Sequence, residues 1–242
     1  SENFVLNGDL ENLYRFFKAY QCRIVVYLRR HDTWWPSAYQ QSVKQVKNPP
    51  WGMSFESFVA FQKRQSYRYW EYGGLLDRWA KYFGSENIIV RPYERTQIGD
   101  DVVADFFSAL GDKDAYAMLG EKNLRKNDSM NALTLKLMDV YQRGNFPGDV
   151  RAKLMDAAAR VSCDLKASAF CSTKIISDLL EECDKDYQYI ARKYLNRENG
   201  VLFFDPLKLT SNEEYASAMK LLTLPKLVES VVQACTESLQ NK

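Results

Sequence analysis

Two short apolar runs interrupt a chain whose hydrophobic residues otherwise return at helical spacing. Residues 23–28 (RIVVYL) and 87–91 (NIIVR) are β-branched and apolar without alternation, as strands buried on both faces of a parallel sheet are. Leu10, Leu13, Phe16 and Phe17 recur every three to four positions, so 9–20 is predicted to be a helix, preceded by a short strand over 1–6. Trp35, Ala38, Tyr39, Ser42, Val43 and Val46 give the next helix its apolar face, and Asn48-Pro49-Pro50 ends it. Ser54 and Ser57 with Phe55, Phe58 and Phe61 open a third helix. Residues 72–83 form a fourth, closed by Gly84, and 102–110 a fifth, stopped by Gly111. The order strand, helix, strand, helix predicts an α/β fold with a parallel sheet.

Beyond about residue 130 the pattern is almost wholly helical. Leu133 to Tyr141, then 150–161, 175–194 and 224–239 carry the period of 3.6, and 201–204 is the one extended apolar fragment. The expected organisation is an α/β core over 1–130 and a mostly helical part over 131–242 packed on the same domain.

The candidate chemistry begins where the first strand ends. Arg29 follows the strand, Asp32 or Thr33 can cap a new helix, and Pro36 suits a first turn, where its missing N–H costs little. That reading puts Ser37 in the first turn as well. A guanidinium, a hydroxyl and a helix N-terminus at the carboxyl end of a strand describe a phosphate site.

The totals narrow the alternatives. With 242 residues, 46% hydrophobic and 14% aromatic, a sizeable core is available, and a net charge of +2 gives no global field for nucleic acid. The five cysteines are scattered and odd in number, which argues against a disulfide framework and against structural zinc, and for reduced cytosolic thiols. No run reaches the ~20 apolar residues of a membrane helix, and no signal peptide is seen. His31 is the one histidine, set among arginines, so a Ser-His-Asp or Cys-His triad has nothing else to use. The stretch KRQSYRYWEY (63–72) mixes cations and aromatics but leads into Leu75, Leu76 and Trp79, a core-facing helix; its polar residues suit the cleft of a polar acceptor better than a nucleic-acid platform. Residues 122–129 (KNLRKNDS) form a basic loop with Asp128 or Ser129 as helix cap.

Taken in order, SEN-F, VVYLRR-x6-SAYQ, SFESF, LLDRWAKYFGSENIIVRPYE, VVADFFSALG and NLRKNDSMNALTLKLM resemble the sulfotransferases that use 3′-phosphoadenylyl sulfate, particularly the bacterial carbohydrate-type members. The resemblance covers roughly 1–140 and extends weakly to YIARKYLNRENGVLF. It implies a P-loop-NTPase-like parallel sheet flanked by helices, and transfer of a sulfuryl group to a hydroxyl of a carbohydrate or similar polar acceptor. It also implies adenosine 3′,5′-bisphosphate as product and no metal. By the same resemblance, Arg29 and Ser37 bind the 3′-phosphate, and Tyr93 lies near the adenine. Arg125, Asn127 and Ser129 belong to a loop that closes on the nucleotide, and Glu2 is the catalytic base.

One departure stands beside these matches. The family's first strand is followed by a Lys/Arg-x-Gly-Ser/Thr-Ser/Thr loop that holds the 5′-phosphosulfate, and no such loop occurs in the 242 residues. The chain is therefore expected to lack the first ~30–60 residues of a family member, a strand-loop-helix unit with its connections. Alone it would bind nucleotide weakly and transfer little sulfate. Two other classes stay open. One is a non-catalytic nucleotide-binding or interaction protein on the same fold; the other is a P-loop kinase-like phosphotransferase, which would need a Gly-Lys-Ser/Thr loop and a carboxylate for Mg²⁺. The family type and the free cysteines point to bacterial cytoplasm; a Golgi enzyme would carry its anchor upstream of Ser1.

Overall fold

The computed structural model describes residues 9–65, 70–118 and 130–221. Among these it is α/β and predominantly helical, with a two-stranded parallel sheet. The described residues divide into two compact units interleaved along the chain: 9–31, 70–118 and 179–207 in one; 32–65, 130–178 and 208–221 in the other.

In the first unit, α1 (Leu10–Phe17) is capped by Asp9, whose carboxylate accepts the Asn12 N–H at 3.2 Å. Strand β1 (Ile24–Leu28) pairs in parallel with β2 (Ile88–Pro92), Ile24 opposite Ile88 and Leu28 opposite Pro92. Leu28, Ile88 and Val90 pack into one core with Leu75, Leu76 and Trp79 of α4 (Tyr72–Phe83). Cys183, Tyr187, Ile190 and Ala191 of the long α10 (Thr173–Leu195) join them. Each large apolar side chain so buried contributes about 1.5–3 kcal/mol. On the sheet's opposite face the register pair Tyr27 and Arg91 converges on Asp105. That residue lies in α6 (Val102–Leu110), which follows the one-turn α5 (Arg95–Ile98). The Tyr27 hydroxyl donates to Asp105 at 2.7 Å and Arg91 Nε at 2.9 Å, so each face of this short sheet has its own helix-borne partners. A short α7 (Lys113–Ala117) completes the unit.

In the second unit, α2 (His31–Gln45) supplies Trp35, Tyr39 and Val43, all fully buried, and α3 (Phe55–Lys63) supplies Phe55 and Phe58. Ser54 and Ser57 close a capping box at the start of α3. The helix α8 (Ala132–Arg143) is central: nine of its residues are buried, several of them polar, which forces each of those to find a partner. Thr134 donates to the Ala158 carbonyl of α9 (Gly148–Arg160) at 2.8 Å, and Gln142 to the Lys44 carbonyl at 2.7 Å. Lys136 reaches the Met53 carbonyl at 2.5 Å and lies 4.5 Å over the Phe170 ring. The last described helix, α11 (Asn212–Lys220), carries a second capping box, Ser211 with Glu214.

One sequence expectation changes. The α2 helix starts at His31, not at Asp32 or Thr33, so Pro36 lies inside it and Ser37 is its seventh residue, beyond the first turn. The reason is tertiary: the His31 N–H, an orphan donor of the first turn, is taken at 3.1 Å by the Tyr187 hydroxyl. The fragment 201–204 is non-helical, as read from its composition, and joins no described sheet; side chains take up its backbone groups. Finally, α5, α7 and α11 were not anticipated. The strand expected over 1–6 and the helix over 224–239 lie outside the described residues.

Two adjacent glycines in α4 test this packing. Glu71, which precedes the helix, offers no side-chain cap; Asp186 of α10 replaces it, accepting the Gly73 N–H at 3.0 and 3.1 Å. A Cβ on Gly73 would collide with Asp186 Oδ1 and meet the Tyr189 ring at 3.0 Å, whereas one on Gly74 meets nothing within 4 Å. Gly74→Ala is expected to stabilise by about 0.5–1 kcal/mol. Gly73→Ala is expected to destabilise by about 1–3 kcal/mol through displacement of the Asp186 cap. Urea midpoints of the two variants measure the contrast.

Candidate functional site

The candidate site lies where β1 and β2 end. Ligands of open parallel sheets bind outside the carboxyl ends of the strands, because the loops and helix N-termini there present free backbone donors. Arg29 is the first residue past β1. Its carbonyl accepts the Tyr72 hydroxyl at 2.8 Å. Tyr93 is the first past β2. Its N–H donates to the Leu28 carbonyl at 2.7 Å, and its exposed ring stands edge-on to Tyr27 with centroids 6.3 Å apart. Arg29 and Tyr93 thus leave neighbouring strand ends.

Arg30 is spent on backbone: its guanidinium donates to the Asp205 carbonyl and, at 2.7 Å, to that of Pro206. It is one of several ties on the segment 201–206. Glu94 accepts the N–H groups of Phe204 and, at 2.9 Å, of Asp205; Arg197 donates to the carbonyls of Val201 and Leu202 at 3.1 and 3.0 Å. Asp205 in turn accepts the Arg95 N–H at 3.1 Å and the Thr96 hydroxyl at 2.7 Å. An extended segment without a strand partner must satisfy its peptide groups this way.

Behind Arg29 lies an aromatic stack. The His31 ring stacks on Tyr72, centroids 4.7 Å apart, and on Tyr187 at 5.6 Å. The Tyr187 hydroxyl accepts the His31 N–H and contacts Nδ1 of the ring. Burial pushes the Tyr72 hydroxyl well above the usual tyrosine range, against the opposing field of the Arg29 guanidinium, so it stays a donor. The single histidine is therefore enclosed in the core.

Of the other predicted residues, Ser37 lies half-buried in the second turn of α2; it belongs to the second compact unit and Arg29 to the first. Ser37 is not at a helix N-terminus, since α2 begins six residues earlier. Glu2, Arg125, Asn127 and Ser129 lie outside the described residues. Sequence reasoning missed Tyr72, Tyr187 and Glu94. Tyr72 and Tyr187 are far from Arg29 in the chain and carry no local signal, whereas Glu94 stands in the RPYE block. Elsewhere, a hollow of about 460 Å³ on α10 is lined by Lys185, Gln188, Tyr189, Arg192 and Lys193, none of them a predicted site residue. Among the described residues no helix is long and apolar enough to cross a membrane.

The chain is 30% identical over 208 residues to an uncharacterized protein of Archaeoglobus fulgidus, a match that takes in 82% of this chain and 54% of that protein. The chain thus spans about half the length of the curated relative it matches. No family model matches it, and no solved structure does.

Proposed function

We propose that this chain carries the 3′-phosphate-binding part of a sulfotransferase that uses 3′-phosphoadenylyl sulfate, on a P-loop-NTPase-like sheet of which β1 and β2 are two strands. The observation that carries the reading is Arg29 at the carboxyl end of a strand in a parallel sheet, with Arg30 committed to the Asp205 and Pro206 carbonyls. A guanidinium there suits the planar, multidentate recognition of a phosphate. Tyr93, on the neighbouring strand end, presents an exposed ring for the adenine.

In the reaction, a hydroxyl oxygen of a carbohydrate or similar acceptor attacks sulfur in line. The bond from sulfur to the bridging phosphate oxygen breaks, adenosine 3′,5′-bisphosphate leaves, and Glu2 takes the hydroxyl proton. No Lys/Arg-x-Gly-Ser/Thr-Ser/Thr loop is among the 242 residues, which favours a second reading for this chain by itself: nucleotide binding without transfer.

Calorimetric titration of the 242-residue chain with adenosine 3′,5′-bisphosphate tests both. Binding is expected, and Arg29→Ala is expected to weaken it by about 10-fold or more, the worth of a hydrogen bond to a charged group. Absence of binding, or binding unchanged in Arg29→Ala, would overturn the assignment.

A further inference from the structure

We propose that Tyr72 is a positioning residue for Arg29, and that with the His31–Tyr187 pair on which it stacks it sets selectivity for a 3′-phosphate. This rests on the reading of Arg29 given above. Three consecutive residues leave β1, and each is held by a different tie. The Arg29 carbonyl accepts the Tyr72 hydroxyl at 2.8 Å. The Arg30 side chain is bound to the Asp205 and Pro206 carbonyls. The His31 N–H and ring are bound by the Tyr187 hydroxyl.

A strand end followed at once by a helix has few backbone torsions to absorb motion, and here they are the torsions of Arg29 and Arg30. With the carbonyl of Arg29 and the backbone of His31 fixed to buried tyrosines, the direction in which the Arg29 side chain leaves the backbone is fixed too. Tyr72 and Tyr187 come from α4 and α10, and the ring between them is the only histidine of the chain. The stack therefore couples two core helices to one guanidinium. Neither tyrosine need touch ligand; the gain is in prepaid orientation of the group that does.

The experiment compares affinities of the 242-residue chain for adenosine 3′,5′-bisphosphate and adenosine 5′-monophosphate, which differ by the 3′-phosphate alone. Tyr72→Phe keeps the ring and its stacking and deletes only the donor to Arg29. The preference for the bisphosphate is expected to fall by about 3- to 10-fold, the equivalent of one hydrogen bond, with 5′-monophosphate affinity unchanged. Leu76→Val, in the same helix and core, serves as the destabilised control and is expected to leave the preference intact. If Tyr72→Phe lowers stability but not the preference, or Leu76→Val lowers the preference equally, the positioning role is overturned. Should Tyr72→Phe not fold, Tyr187→Phe carries the same readout through His31. Failure of the Arg29 reading looks different: the wild-type chain would then show no preference, or Arg29→Ala would retain it.

Discussion

Arg143→Ala is expected to cost about 3–5 kcal/mol of stability, because it strands a buried carboxylate. The Asp139 side chain is fully inaccessible; one oxygen accepts Arg143 Nε at 2.9 Å and, among the described residues, the other has no partner. Burial raises the Asp139 carboxyl above its ordinary range, and the nearby charges of Arg143 and Lys136 oppose that shift. The same guanidinium donates to the Trp51 and Gly52 carbonyls at 2.7 and 3.1 Å, pinning the turn before α3. The urea midpoint should fall by at least about 1 M. The penalty has a pH sign. Without Arg143 the folded carboxyl is raised further, so the fold binds a proton that the unfolded chain releases above ~3.9, and the variant's deficit is largest at neutral pH and shrinks on acidification. Replacing both residues, Asp139→Leu with Arg143→Leu, should recover the part due to the uncompensated charge, leaving the lost bonds to the turn as the remainder. A double variant as unstable as Arg143→Ala would show that the carboxylate is not the cause.

Local signals and distant ones divide what could be read from the residues. The helices Tyr72–Phe83 and Val102–Leu110 are readable to the residue, since the apolar period and the glycine that follows the last turn are both local signals. The strand pair was readable because β-branched runs without alternation have few other uses. The start of α2 was not, because it is set by the Tyr187 hydroxyl 156 positions away, while Pro36 gave a false local cue. Residues 201–204 read as extended and are non-helical; Glu94, Gln97 and Arg197, none of them legible as partners, bind their peptide groups one by one. In α11 the opposite holds: Ser211 and Glu214 spell a capping box in plain sequence. At the candidate site the same division holds. Arg29 is visible from its place after an apolar run; the tie from Tyr72 that orients it is not, because no spacing rule links residues 43 apart.

Raising the pH from 9 to 11 is expected to remove on the order of 3–5 kcal/mol of stability. Burial pushes the hydroxyls of Tyr39 and Tyr72 and the thiol of Cys171 above their ordinary ranges. The unfolded chain sheds the thiol proton above ~8.5 and the phenol protons above ~10, while the fold keeps them, so stability falls by about 1.4 kcal/mol per group per pH unit in those windows. Lys136 works against this. Burial lowers its ammonium, the unfolded chain holds that proton up to ~10.4, and stability from this one group rises with pH. Three groups outweigh one. Tyr27 and Tyr194 are shifted the same way as Tyr39 but are only partly buried, and solvent screening reduces their contribution. Tyr39→Phe isolates one step. Its hydroxyl is fully buried and, among the described residues, has no hydrogen-bond partner, so deleting it should leave the urea midpoint at pH 8 unchanged or higher and flatten the fall above about pH 10. Tyrosinate absorbance followed through the same titration reports when the buried phenols ionise, and it should rise late and together with unfolding. A midpoint lowered at pH 8 in Tyr39→Phe would mean that a buried water satisfies the hydroxyl in the native protein.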